Sequence, residues 1–277
     1  MALLSDLAKW DPYAAWRYEK DLPADRTNFK PAWKLLESYS KIPADEIDDH
    51  VTAIRNKAYE VFHYPCLGRW RFFDLWITKA PEYLSLIARL QAGETLLDVG
   101  CCFGHALRQL VADGVPSRNL TGTDLHPEFI ELGYELFRDK DIFNANFSTG
   151  DISNIEDHNL AALDGKFDIV HASSFFHLFT WDDQVKVGER IIKFLKEGQK
   201  QALVLGRQIG TREPLSPEEY RRHPEKRCLH DLESWRKLWG EVGEKTGTKW
   251  KVDGEAYDSE FDDGGLVLLR FVVSRDD

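Results

Sequence analysis

Leu96-Leu97-Asp98-Val99-Gly100-Cys101-Cys102-Phe103-Gly104 is an apolar run that breaks into glycines just after an acidic residue. A buried strand that ends in a tight glycine turn before a helix is how an α/β sheet brings its backbone against a nucleotide-like ligand. A dinucleotide fingerprint needs G-x-G-x-x-G. Here Gly100 and Gly104 are separated by Cys101, Cys102 and Phe103, giving G-x-x-x-G. The acid also lies inside the motif, two residues before the first glycine. Asp98 ahead of the loop suits a ligand with a positively charged amino-acid end better than one with a pyrophosphate.

The pattern around this motif alternates. Pro81 opens a predicted helix with Leu84, Ile87 and Leu90 at core-facing spacing. Strand one is predicted over 95–99, and the helix beyond the glycines carries Ala106, Leu107, Leu110 and Val111 and ends at Gly114. A second strand over 120–124 precedes a helix that starts at Pro127 and bears Ile130, Tyr134 and Phe137. Further strands are predicted over 147–152, 167–172 and 201–206, with a helix over 183–195 between the last two. Such alternation implies an α/β fold with a parallel, doubly covered sheet. A polar loop over 211–227 and a helix with Trp235, Leu238, Trp239 and Val242 come next. Two closing strands, near 250–257 and 266–274, bring the expected number to seven. Their closeness in sequence predicts one antiparallel strand at the sheet edge. Residues 1–80, rich in Trp, Tyr, Phe and charge, read as a helical cap, and 81–277 as the sheet domain.

At 277 residues the chain has room for one generous α/β domain with an appendage. Its 43% hydrophobic and 30% charged residues are those of an ordinary soluble domain. A net charge of −11 argues against a nucleic-acid partner, and the basic cluster Arg221-Arg222-His223 with Lys226-Arg227 reads as a solvated face. The four cysteines show no CxxC and no zinc spacing, so reduced thiols in a cytoplasmic protein are expected and no metal site. The start of the chain lacks a basic segment followed by an apolar core, so no secretory signal is expected, and no apolar run reaches membrane-spanning length. The expected partner is a small molecule, and a homodimer stays open.

Three acids fall at the ends of three successive predicted strands: Asp98, Asp124 and Asp151. In an open α/β sheet that edge is where ligands bind. Asp124 lies 26 residues after Asp98, near the interval at which an acid after strand two accepts hydrogen bonds from ribose hydroxyls. Asp151 after strand three can bond an exocyclic amine while Ile152 covers an aromatic base. Any one of these acids alone would read as a helix cap or turn former. Their joint order with the glycine turn reverses that, and ribose, adenine and a charged amino-acid tail together describe S-adenosylmethionine.

At this point Asp98-Val99-Gly100-Cys101-Cys102-Phe103-Gly104 resembles the first motif of Rossmann-like S-adenosylmethionine methyltransferases, in which an acid precedes three alternating glycines. Cys102 stands where that family commonly has its middle glycine. The resemblance covers about residues 90 to 210. Three further segments resemble fungal methyltransferases that modify polyketide-terpenoid hybrids: Asp113-Gly114-Val115-Pro116, Glu131-Leu132-Gly133-Tyr134-Glu135-Leu136-Phe137, and Tyr64-Pro65-Cys66-Leu67-Gly68. The resemblance implies that Asp98, Gly100, Cys102 and Gly104 shape the pocket around the methionine moiety. It places Asp124 on the ribose, Leu125 against the adenine, Asp151 and Ile152 around the base, and Ser173 or Ser174 near the sulfonium. It also implies a carboxylate as methyl acceptor.

A carboxylate titrates near 4, is ionised at neutral pH and needs no base, whereas a phenol, near 10, calls for one. The candidate base is His177, in Phe175-Phe176-His177-Leu178-Phe179 after strand four, which alternatively orients the acceptor as a hydrogen-bond donor or is a structural histidine among core aromatics. Arg207, read as just past strand five, can pair with an acceptor carboxylate or equally stand in an exposed ion pair. His171 lies within a strand and reads as core, and His230 reads as a helix-flanking turn residue. Trp10, Tyr13, Trp16, Tyr18 and Trp33, with 64–76, form either a lid or a satellite core. Two alternatives stay open: methyl transfer to phenol, amine or carbon with His177 as base, and a methyltransferase fold used for isomerisation or cyclisation.

Overall fold

The computed structural model describes residues 18–258 and 266–276. Strand β1 (Leu96–Val99) lies inside the sheet, and its four consecutive residues are all buried. A strand covered on both faces has no polar side to keep, which is why Leu96-Leu97-Asp98-Val99 shows an apolar run and not alternation. β1 lies between two parallel neighbours, β2 (Leu120–Asp124) and β4 (Ile169–His171), and β3 (Asn146–Thr149) pairs with β2. The sheet has seven strands in the order β3-β2-β1-β4-β5-β7-β6, the first five parallel to one another. Strand β5 (Leu203–Thr211) pairs antiparallel with β7 (Leu266–Arg275), which pairs antiparallel with β6 (Trp250–Asp258).

Packing divides the described chain into two compact units. The sheet unit takes Leu84–Cys101, Gly114–Leu125 and the chain from Asn144 onward. The helical unit takes the chain up to Tyr83 with Cys102–Asp113 and His126–Phe143. In the helical unit, α1 (Lys30–Ser38), α2 (Ile47–Val61) and the short α3 (Pro65–Gly68) join helices from later in the chain. Apart from Tyr83, α4 (Tyr83–Gln91) belongs to the sheet unit; the helical unit also holds α5 (His105–Ala112) and α6 (Pro127–Phe137). Ile47, Val51, Ile54 and Ala58 recur at helical spacing on α2 and share one core with Leu35, Trp70, Phe73, Phe103, Phe129 and Leu132. Arg55 is buried there with its guanidinium over the Tyr18 and Trp70 rings at 4.3 and 3.9 Å, and it donates to the carbonyls of Glu19 and Lys20.

In the sheet unit the core gathers Leu97, Val170, Val204, Leu269 and Phe271 of the strands. It also takes in residues of α8 (Trp181–Phe194) and α10 (Leu232–Thr246); a short α7 (His158–Ala161) and α9 (Pro217–Arg222) complete the helices named here. The helix starts are capped as their sequences require: the Thr180 hydroxyl accepts from Asp183 N–H, and Ser216 and Asp231 each close a reciprocal capping box. Among the described residues no helix is long and apolar enough to cross a membrane.

Four sequence expectations need correcting. The antiparallel strand is β7, and it is not at the edge: it inserts between β5 and β6, so the edge strand is β6. β5 continues to Thr211 because β7 offers it a partner along its whole length, which places Arg207 inside the strand opposite Arg270. Leu84 is 79% exposed; α4 instead buries Leu86 and Leu90, one helical turn apart. The stretch predicted as polar loop contains α9, whose Arg221 is paired with Asp182 and Glu241.

Candidate active site

The turn after β1 is tied to β2 by its backbone. The N–H groups of Gly100 and Cys101 both donate to the Thr123 carbonyl, at 2.9 and 3.0 Å. The chain then runs through left-handed conformations at alternate residues: Gly100 at φ 68°, Cys102 at 49° and Gly104 at 62°. At Gly100 the left-handed φ is joined by a steric demand, since a Cβ there would lie 2.5 Å from the Phe175 ring. Cys102 takes this left-handed conformation without being glycine, a strain that of the standard residues glycine alone would relieve.

Asp98 sits within β1 and not at its tip; it is 4% exposed. Its Oδ1 accepts a hydrogen bond from His171 Nδ1 at 2.7 Å, the two residues being register partners across β1 and β4. This fixes the tautomer, since only a protonated Nδ1 can donate to a carboxylate. His171, expected as simple core, therefore orients the motif acid. Asp124 closes β2 with its side chain part-exposed, and its carbonyl accepts from Gly150 N–H at 3.1 Å. Leu125 follows, also part-exposed. Beyond β3, Asp151 gives Oδ1 to the N–H and hydroxyl of Ser153, at 2.9 and 2.6 Å, and Ile152 beside it is buried.

The end of β4 is joined to β5 at one carbonyl. Arg207 O accepts from Ser174 N–H at 2.6 Å and from the Ser173 hydroxyl at 3.3 Å, with Ser174 itself left-handed at φ 53°. His177 follows in a single 3-10 turn (Phe176–Leu178) and is 8% exposed, while Arg207 is part-buried. The structure thus groups Asp98, Gly100, Ser173, Ser174 and Arg207 through β1, β4 and β5, and carries Asp124 and Asp151 on the neighbouring strands. Cys102 and Gly104 belong to the helical unit.

His230 is not part of this group. It is fully buried, with Nε2 2.9 Å from Gln184 Oε1 and Nδ1 3.0 Å from Ser234 Oγ. A side-chain amide oxygen can only accept, so Nε2 carries the proton. Burial pushes the imidazole down to about 3, against a smaller opposing effect of Asp231, and burial pushes the Cys228 thiol 3.6 Å away up to about 12. A neutral imidazole beside a protonated thiol is structural and not a nucleophile–base pair.

Of the aromatic residues weighed as a lid, Trp10, Tyr13 and Trp16 lie outside the described residues. Trp33 packs edge-on against Phe73 at 4.9 Å, and Trp70, Phe72 and Phe73 are core. Three partners of the site escaped the sequence: His171, Phe175 over Gly100, and Arg108 beside Gly104. The order of strands holds the one usable signal, since β1 next to β4 puts residue 171 beside residue 98.

The donor set fits S-adenosylmethionine. Asp98 within β1, Asp124 at the end of β2 and Asp151 beyond β3 offer carboxylate acceptors suited to ammonium, hydroxyl and amine groups.

Known proteins agree. Residues 17–73 match the family described as meroterpenoid methyltransferase N-terminal domain, and residues 96–198 match a methyltransferase domain. The chain is 39% identical to O-methyltransferase phiE of a fungal species (strain ATCC 74256) over 261 residues, covering 91% of this chain and 85% of that protein. It is 42% identical to O-methyltransferase atr3 of Stereocaulon alpinum, covering 87% of this chain and 71% of that protein. It is 39% identical to the Asnovolin E/Chermesin D methyltransferase nvfJ of Aspergillus novofumigatus (strain IBT 16806), covering 92% of each. Among solved structures, the CurJ carbon methyltransferase matches with a TM-score of 0.50 at 14% identity, over 91% of this chain and 68% of that one, a likeness of fold alone. With relatives this similar over most of their length, the chain belongs to the fungal methyltransferases of meroterpenoid and polyketide pathways, and is an S-adenosylmethionine-dependent methyltransferase of class I with the Rossmann-like α/β fold.

Proposed function

We infer that the enzyme methylates the carboxyl oxygen of a small polyketide- or terpenoid-derived acid. The observation that carries this reading is the placement of Arg207, a part-buried cation whose carbonyl anchors the Ser173–Ser174 turn at the end of β4. A guanidinium is a planar fork matched to a carboxylate. The names of phiE and atr3, both O-methyltransferases, support oxygen as the acceptor atom. S-adenosylmethionine, when bound, supplies a methyl group already activated on a sulfonium. The protein's task is then chiefly positioning, because a carboxylate is ionised at neutral pH without a base. Arg207 holds the acceptor, and His177 orients it as a hydrogen-bond donor. Removal of water favours a step in which anion and cation neutralise each other.

For the cofactor, the reading assigns the amino-acid end to Asp98 and Gly100, the ribose to Asp124, and the base to Leu125, Asp151 and Ile152, with Ser173 toward the reacting end. Cys102 and Gly104 continue the same loop. The division into a cap of residues 1–80 and a catalytic domain of 81–277 is part of the same proposal.

The test is methyl transfer from S-adenosylmethionine labelled in its methyl group to a meroterpenoid carboxylic acid, followed by mild alkali. A methyl ester releases the label as volatile methanol. Label that resists alkali, as in a methyl ether, amine or C-methyl product, refutes the carboxyl assignment and supports His177 as a base for another acceptor.

A further inference from the structure

Arg108, on α5, is completely buried, and its partner Asp139 is 1% exposed. The guanidinium grips the carboxylate twice, Nε to Oδ2 at 2.7 Å and Nη2 to Oδ1 at 2.9 Å. Its remaining nitrogen turns back to the glycine loop: Nη1 donates to the Phe103 carbonyl at 2.7 Å and to that of Gly104 at 3.4 Å. From the other direction Tyr39, which caps the C-terminus of α1, donates its hydroxyl to Asp139 Oδ2 at 2.9 Å. Burial and then the Asp139 charge push the Tyr39 phenol far above its ordinary value, so it remains a donor at any working pH. Phe143, Phe137 and Tyr134 enclose the guanidinium, with ring centres 4.3, 4.7 and 5.2 Å away.

A buried ion pair is a poor device for stability, since desolvation of both charges offsets their attraction. What this one does is fix a backbone. The Phe103 carbonyl is gripped by Arg108 and pressed by α6, where a Cβ on Gly133 would lie 2.4 Å from that oxygen. The peptide so held joins Phe103 to Gly104, between the left-handed Cys102 and the left-handed Gly104. The first half of the loop is anchored on Thr123, and the second half on Arg108.

We propose that Tyr39, Asp139 and Arg108 form a positioning relay through which the N-terminal helices set the affinity of the glycine loop for S-adenosylmethionine. It rests on the assignment of that loop to the cofactor. Tyr39 lies in the segment matched by the meroterpenoid methyltransferase N-terminal domain, so the relay makes that region part of cofactor binding. None of the three residues touches the reacting atoms; each acts through the next.

The test measures S-adenosylhomocysteine affinity by calorimetry and steady-state kinetics on the full chain. Tyr39→Phe removes one hydroxyl and keeps the ring. The dissociation constant for S-adenosylhomocysteine and the KM for S-adenosylmethionine should rise roughly 10- to 150-fold, the size of one hydrogen bond to a charged group. The kcat and the acceptor KM should stay within about twofold. Arg108→Lys keeps the charge but loses the fork, and should weaken binding further. Should Arg108→Lys fail to fold, Tyr39→Phe decides alone. A merely structural role would lower the active fraction and leave the cofactor KM unmoved, which overturns the relay. Binding that Asp124→Ala weakens and Tyr39→Phe does not also overturns the relay alone. Binding insensitive to Asp124→Ala overturns the cofactor assignment beneath it.

Discussion

The pairing of Asp98 with His171 is worth a quantitative test, because it joins the acid of the glycine motif to a residue 73 positions away. Both residues are 4% exposed, and the Nδ1–Oδ1 distance is 2.7 Å. A hydrogen bond to a charged group contributes about 1.5–3 kcal/mol, and removal of one partner from a buried pair costs about 3–5 kcal/mol because the other is stranded. His171→Phe removes the donor while filling most of the ring's volume, so the loss is electrostatic and not a cavity. Asp98→Asn keeps the shape and removes the charge. Each single variant should therefore lose about 3 kcal/mol or more in urea unfolding at neutral pH. The double variant should lose less than their sum, with a coupling energy of about 1.5–3 kcal/mol. Additivity to within about 0.5 kcal/mol would mean the two groups do not interact, and the account of His171 as the orienting partner would fall.

Two other expectations concern the same unit. His230 is held neutral in the fold down to about pH 3, whereas in the unfolded chain it titrates near 6.5. Between those values the unfolded state binds the extra proton, so stability is present above 6.5 and falls as pH drops, by about 1.4 kcal/mol per unit where His230 alone titrates. Unfolding midpoints measured from pH 6.5 down to 5, above the range of the carboxylates, should show this slope in the native chain, and His230→Gln should flatten it. Gly100→Ala should weaken S-adenosylhomocysteine binding at least tenfold in calorimetry, since its Cβ meets Phe175 at 2.5 Å and its φ is 68°. Native affinity in that variant would show that the turn adapts and is not a rigid cradle.

The parts of the molecule that were legible in the sequence are those written locally. Asp98, Asp124 and Asp151 follow three short apolar runs in order, and the strands that carry them are adjacent. The α/β class, the seven strands and the cofactor follow from that series and from the glycine loop. What stayed hidden depends on pairing between distant segments. That β7 inserts between β5 and β6 is decided by which strand offers β5 a partner, and neither strand's own pattern states it. Arg207 moved from a loop to a strand for the same reason. Leu84 has the right spacing for a core position, but the face that α4 buries is set by Leu86 and Leu90. Arg108 and Asp139 carry no local pattern that pairs them: 31 residues separate them, and their burial becomes visible only once the chain is packed. Asp98–His171 was hidden similarly, behind the adjacency of β1 and β4.

The central claim is that Asp98 in β1, Asp124 at the end of β2 and Asp151 beyond β3 hold S-adenosylmethionine, with Asp124 on the ribose. The most direct measurement is a calorimetric titration of the native chain and of Asp124→Ala with S-adenosylhomocysteine, with NAD as control. The account predicts binding of S-adenosylhomocysteine by the native chain, none of NAD, and a loss of about 1–3 kcal/mol in Asp124→Ala as the ribose hydroxyls lose their acceptor. Equal affinity of the two proteins for S-adenosylhomocysteine would contradict it.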